Sequence, residues 1–110
     1  MQQLFVLFHS PGSAWDPSLG FMEQPGIEEH ISFMRGLTER GLMVLGGPFA
    51  DRGAAGPVGM AVITARDASD AERLAMQDQA VEHELIRVTV RPWTVPMGFA
   101  LDTIPPIDEG

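Results

Sequence analysis

Six stretches of this chain carry a regular apolar pattern, and their order constrains the fold more than any other feature. Leu4–His9 is a run of large apolar residues with no polar side, which predicts a strand buried on both faces. Gly26–Gly41 follows the helical period, with Ile27, Ile31, Met34 and Leu37 on one stripe. Glu28 and Glu29 in its first turn and Gly41 at its end fit a helix start and stop. Leu42–Leu45 and Val58–Ala65 read as strands joined through the hairpin connection Asp51–Pro57. Ser69–Asp78 is a second helix, with Ser69-Asp70-Ala71-Glu72 as a capping box and Ala71, Leu74 and Ala75 facing inward. A polar connector, Gln79–Glu84, leads to the strand Leu85–Trp93, where Ile86, Val88 and Val90 alternate with Arg87, Thr89 and Arg91.

Strand–helix–strand–strand–helix–strand with right-handed crossovers gives an α+β fold. It is a ferredoxin-like βαββαβ unit, a four-stranded antiparallel sheet with both helices on one face. Either Phe5 and Leu7, or Leu4, Val6 and Phe8, then lie on the face without helices. An apolar sheet face in water calls for a partner, and the simplest is a second copy, so a homodimer is expected. The domain spans residues 1–95. The Pro-rich tail, Thr94–Gly110, holds Phe99, Leu101 and Ile104, which is a reason for 96–110 to pack on the partner subunit.

Ser10–Pro25 is a loop of some sixteen residues with Pro11, Gly12, Pro17, Gly20 and Pro25, a length typical of lids and binding loops. Composition narrows the function classes. A net charge of −8 argues against nucleic acid and anionic membranes as partners. The absence of lysine excludes Schiff-base chemistry, and the absence of cysteine excludes disulfides, thiolate nucleophiles and thiolate metal sites. With no leader-like start and no membrane-length apolar run, a cytoplasmic location is expected.

Two titratable residues lie on apolar helix faces: His30 in the first helix, Asp78 at the end of the second. Each is costly to bury alone, so they are expected to pair. At a helix C-terminus the dipole disfavours a carboxylate, which gives Asp78 a reason to seek the imidazole N–H. Such a pair without a Ser or Cys nucleophile is suited to proton transfer. An apolar pocket lined by Trp15, Phe33, Phe49 and Met60, with His9 at its rim, would take a small cyclic or aromatic compound. A structural role, fixing how the helices pack, is the alternative for the pair.

The remaining candidates read as scaffold. His83 sits between Glu82 and Glu84 as a surface histidine, and Arg87 and Arg91 read as a solvated strand face. Gly46-Gly47-Pro48 reads as turn chemistry rather than a phosphate loop. No spacing supports a metal site on His9, His30 and Asp78, and no cofactor is expected.

The chain also resembles the YciI-like (YCII-related) family of dimeric α+β barrels. The resemblance rests on Glu28-Glu29-His30-Ile31-Ser32-Phe33, Gly41-Leu42, Gly46-Gly47-Pro48-Phe49, and Asp78 followed by Val81 and Val88-Thr89-Val90-Arg91-Pro92-Trp93. It implies a dimer whose pocket holds a histidine–aspartate pair, here His30 and Asp78. It points to lyase- or isomerase-type chemistry, since dehydrochlorination of chlorinated hydroquinones is associated with the family and muconolactone isomerases with related barrels. Ile27 stands where members often carry arginine, and Asp78-Gln79 where many carry Asp-Pro. The function expected is therefore a cofactor-independent acid/base enzyme, with a non-catalytic ligand-binding protein on the same scaffold as the alternative.

Overall fold

The computed structural model describes residues 2–51 and 55–98. Its elements are β1 (Gln2–Pro11), a 3-10 turn (Phe21–Glu23), α1 (Ile27–Glu39), β2 (Met43–Pro48), β3 (Gly59–Ile63), α2 (Ala68–Ala75), α3 (Gln79–Glu82) and β4 (Ile86–Val95). The sheet order is β2-β3-β1-β4 with every pairing antiparallel, the ferredoxin-like arrangement.

Strand alternation sorts the residues of β1 between two layers. Phe5 and Leu7 join Ala61 and Ile63 of β3 beneath Leu37 of α1 and Ala71, Leu74 and Ala75 of α2, so the helices cover this face. Leu4 and Val6 point the other way, to a second cluster with Val62 and Val95. The register pairs Leu7 with Ala61 and His9 with Gly59, so His9 continues the helix-facing series of Phe5 and Leu7. Leu37, 1% exposed, anchors α1 to this layer. Burying a leucine there contributes about 2 kcal/mol.

Helix α1 ends as its sequence dictates. Gly41 adopts φ +72°, and Leu42 N–H returns to Leu37 O at 2.9 Å. The predicted capping box on Ser69 is displaced. Asp67 is the N-cap of α2, its carboxylate accepting from Asp70 N–H at 2.8 Å, and Ser69 lies inside the first turn. Aspartate is as good a cap as serine, and here it is the Asp67 carboxylate that takes the Asp70 N–H. Gly46-Gly47-Pro48 is not a turn. It completes β2, with Gly46 opposite Ala61 and Gly47 opposite Met60. A Cβ on Gly46 would come within 3.1 Å of the Ala61 Cβ, so close strand packing explains that glycine.

The largest departure concerns Asp78. Helix α2 stops at Ala75, and the supposed connector holds the short helix α3, of which Asp78 is the N-cap. Thr94 and Val95, assigned to the tail, extend β4. The expectation for the rest of the tail falls, from residue 99 on, outside the described residues. Among those residues, no helix is long and apolar enough to cross a membrane.

Candidate functional site

Three elements meet at the end of β1. Helix α1 carries His30, the N-terminus of α3 carries Asp78, and β1 supplies His9. His30 Nδ1 lies 2.6 Å from Asp78 Oδ2, and the Asp78 side chain is fully buried. The second carboxylate oxygen, Oδ1, accepts from Ala80 N–H at 2.9 Å. Asp78 therefore caps α3 with one oxygen and holds the imidazole with the other. The dipole argument from the sequence is reversed: the carboxylate sits at a helix start, where backbone N–H groups and the dipole both favour negative charge. With Asp78 ionised, the contact requires the proton on Nδ1, which leaves Nε2 of His30 as the acceptor nitrogen.

His9 packs edge-on against His30, with ring centroids 4.7 Å apart. It is 2% exposed, and its Nε2 has no hydrogen-bond partner among the described residues. Burial is the main reason its pKa falls from 6.5 to about 4. The neighbouring His30 adds to that, and Asp78 partly opposes it. His9 is a neutral imidazole at physiological pH.

The long loop completes the site. Gln24, 2% exposed, accepts from Asp16 N–H at 2.9 Å and donates to Asp16 O and Leu19 O at 2.7 and 3.1 Å, which folds the loop on itself. Gly12 pins its start: Gly12 N–H bonds Leu85 O at 2.9 Å, and a Cβ there would fall 2.1 Å from Glu84 O. The 3-10 turn then presents Phe21 to His30, at a centroid distance of 6.2 Å. Trp15 stands behind, 6.1 Å from Phe21, packed with Ile27, Leu85 and Ile86.

His9, His30 and Phe21 form one end of an open cavity of 520 Å³. Ile31, Met34, Arg35 and Thr38 of α1 form one wall, and β2 with Gly59 and Met60 forms the other. Of the residues expected to line a pocket, His30, His9 and Met60 do so. Trp15 buttresses Phe21, Phe33 packs against the main core, and Phe49 is 38% exposed; none of these three lines the cavity. Phe21, Met34, Arg35 and Thr38 were not anticipated. The last three stand four, five and eight residues beyond His30, which keeps them on one flank of α1 within an arc of about 140°.

His9, His30 and Asp78 each offer a ligand atom, all within 4.8 Å of one another. Two donors on one tetrahedral ion sit about 3.3 Å apart, given metal–ligand bonds of about 2.0–2.1 Å. The 2.6 Å His30–Asp78 contact is shorter than that and has the length of a charge-assisted hydrogen bond. If instead the ion took His30 Nε2, with Asp78 as an outer partner, only two of these residues would ligate it. Zinc sites in proteins use three or four. The trio is a hydrogen-bonded dyad with a neighbouring neutral histidine.

A search of curated proteins gave no match. The family model described as the YCII-related domain matches residues 7–94, which takes in β1 from Leu7 through β4 and all three residues of the cluster. The chain belongs to the YCII-related domain family.

Proposed function

We propose that the protein is a cofactor-independent acid/base enzyme of lyase or isomerase type, acting on a small cyclic or aromatic metabolite. The observation that carries this is the 2.6 Å contact between buried Asp78 and Nδ1 of His30, whose ring lines the cavity. Asp78 holds the ring by Nδ1, so Nε2 is the nitrogen free to take a proton from a bound carbon acid. In an isomerisation Nε2 removes a proton from carbon next to a carbonyl, and the protonated Nε2, which exchanges with solvent, delivers a proton to another carbon. In an elimination the proton goes to Nε2, the C–H electron pair forms the new double bond, and the leaving group departs with its own bonding pair. Neither outcome needs a cofactor. Phe21 and Met34 restrict water around the reacting atoms, and neutral His9 adds no charge to compete with His30.

The test is solvent exchange. Small ring carbon acids incubated with the protein in D2O should lose a C–H signal in the proton spectrum, and His30→Ala should abolish the loss. The second reading is a binding protein without turnover, and the cap that Asp78 makes on α3 favours it, because that role alone is a structural reason for the aspartate. Exchange that persists in folded His30→Ala would exclude the dyad from the chemistry.

We further propose a homodimer formed through the sheet face opposite the helices. Trp93 is 47% exposed there, beside Phe8, Met60 and Pro92 around a shallow depression. A second copy would bury this apolar lane. A cytoplasmic location is part of the same proposal.

A further inference from the structure

The protein carries 15 acidic residues against 7 arginines, yet among the described residues no aspartate or glutamate lines the cavity. Among the described residues its one formally charged lining side chain is Arg35. Arg35 forms no ion pair with another described residue, although Glu39 stands one turn further along the same helix. The residues that α1 turns to the cavity span an arc of about 140°, with His30 at one margin and Arg35 at the other. Between their Cα atoms the helix rises about 7.5 Å. Met34 and Ile31 fill the interval with apolar surface. Thr38 cannot compete for an anion, because its hydroxyl donates to Met34 O at 3.0 Å.

We infer that Arg35 is the carboxylate-recognising residue of this cavity, and that the compounds it takes are small ring acids. The carboxylate pairs with the guanidinium, and the ring lies over Met34 and Ile31 toward His30. This rests on the proton-transfer proposal for where the reacting carbon sits, but the anion site stands on the charge and geometry of the wall. A guanidinium presents a planar fork that matches a carboxylate, and it keeps its charge at any physiological pH. In a chain of net charge −8, a cavity whose formal charge from the described residues is positive selects anions against the general repulsion of the surface. The inference makes Arg35 a specificity-determining residue.

The experiment compares benzoate with benzamide, which match in shape and differ in charge, by chemical-shift titration of the full-length protein. Benzoate should shift the Arg35 Nε–H and the His30 ring signals, and bind at least tenfold more tightly than benzamide. Arg35→Gln should remove that preference, Arg35→Lys should restore part of it, and added salt should weaken benzoate binding alone. Arg35 is exposed on the helix surface, so both variants should keep the wild-type amide spectrum. Equal binding of the two probes, benzoate binding unchanged in Arg35→Gln, or no benzoate binding at millimolar concentration would each overturn the assignment. D2O exchange of neutral ring compounds dependent on His30 would, beside any of these, leave the proton-transfer proposal standing.

Discussion

Burial of His9 predicts a specific loss of stability in mild acid. In the unfolded chain this imidazole takes up its proton near pH 6.5, whereas in the fold it stays neutral down to about pH 4. Between those values the unfolded state binds more protons than the folded state, so stability falls as pH falls. The contribution is fully present above about pH 6.5 and is lost progressively down to about pH 4. At about 1.4 kcal/mol per pH unit, the loss is roughly 3 kcal/mol. That is a large share of the total stability of a domain this size. Urea unfolding at steps from pH 7.5 to 4, on wild type and His9→Gln, isolates the effect. Glutamine has no titratable ring, and carboxylates such as Asp70 contribute almost equally to both proteins. Wild type should lose about 3 kcal/mol more stability than His9→Gln over this range. A gap constant to within a few tenths would refute the claim that His9 is buried, neutral and without a partner.

Other consequences follow from the same geometry. Asp78→Asn keeps a side chain able to cap α3, while Asp78→Ala loses both the cap and the imidazole contact. Thermal or urea unfolding should therefore find the alanine variant less stable than the asparagine variant by about 1 kcal/mol. Leu37→Ala, at a fully buried position between α1 and the sheet, should cost about 2–5 kcal/mol in urea unfolding with little change in the m-value. Zinc titrated into the wild-type protein by calorimetry should bind far more weakly than at structural zinc sites, because a three-ligand site requires breaking the His30–Asp78 bond. Trp93→Glu should shift the sedimentation coefficient from dimer to monomer if the outer sheet face is the interface.

Much of the site could be traced in the sequence because two periodicities point at it. His30 shares a helical stripe with Ile27, Met34 and Leu37, and His9 falls in step with Phe5 and Leu7 on alternate strand positions. The sheet order followed from element order alone. The local setting of Asp78 was obscured because Ala71, Leu74 and Ala75 run on toward it at helical spacing, while the chain breaks at Met76. An aspartate can end one helix pattern or start the next. Only the ψ of 119° and the bond to Ala80 N–H decide for the cap. The sequence favours Trp15 as the loop aromatic of the pocket, but the Gln24 hydrogen bonds, which join residues five and eight positions apart, fold the loop so that Phe21 meets His30 instead. Phe33 follows the helical stripe closely enough to look like cavity wall, but it meets the main core instead.

The most direct test of the proposed acid/base role is the nitrogen spectrum of His30, recorded in wild type and Asp78→Asn across pH 5 to 9. The expected result is a ring carrying its proton on Nδ1 at neutral pH, with Nε2 as the acceptor. Its titration should change on Asp78→Asn, and its Nε2 signal should move when a small ring acid is added. A His30 proton on Nε2, or a ring indifferent to pH, to the Asp78 substitution and to every added acid, would contradict it. The pair would then be a device for packing α1 against α3.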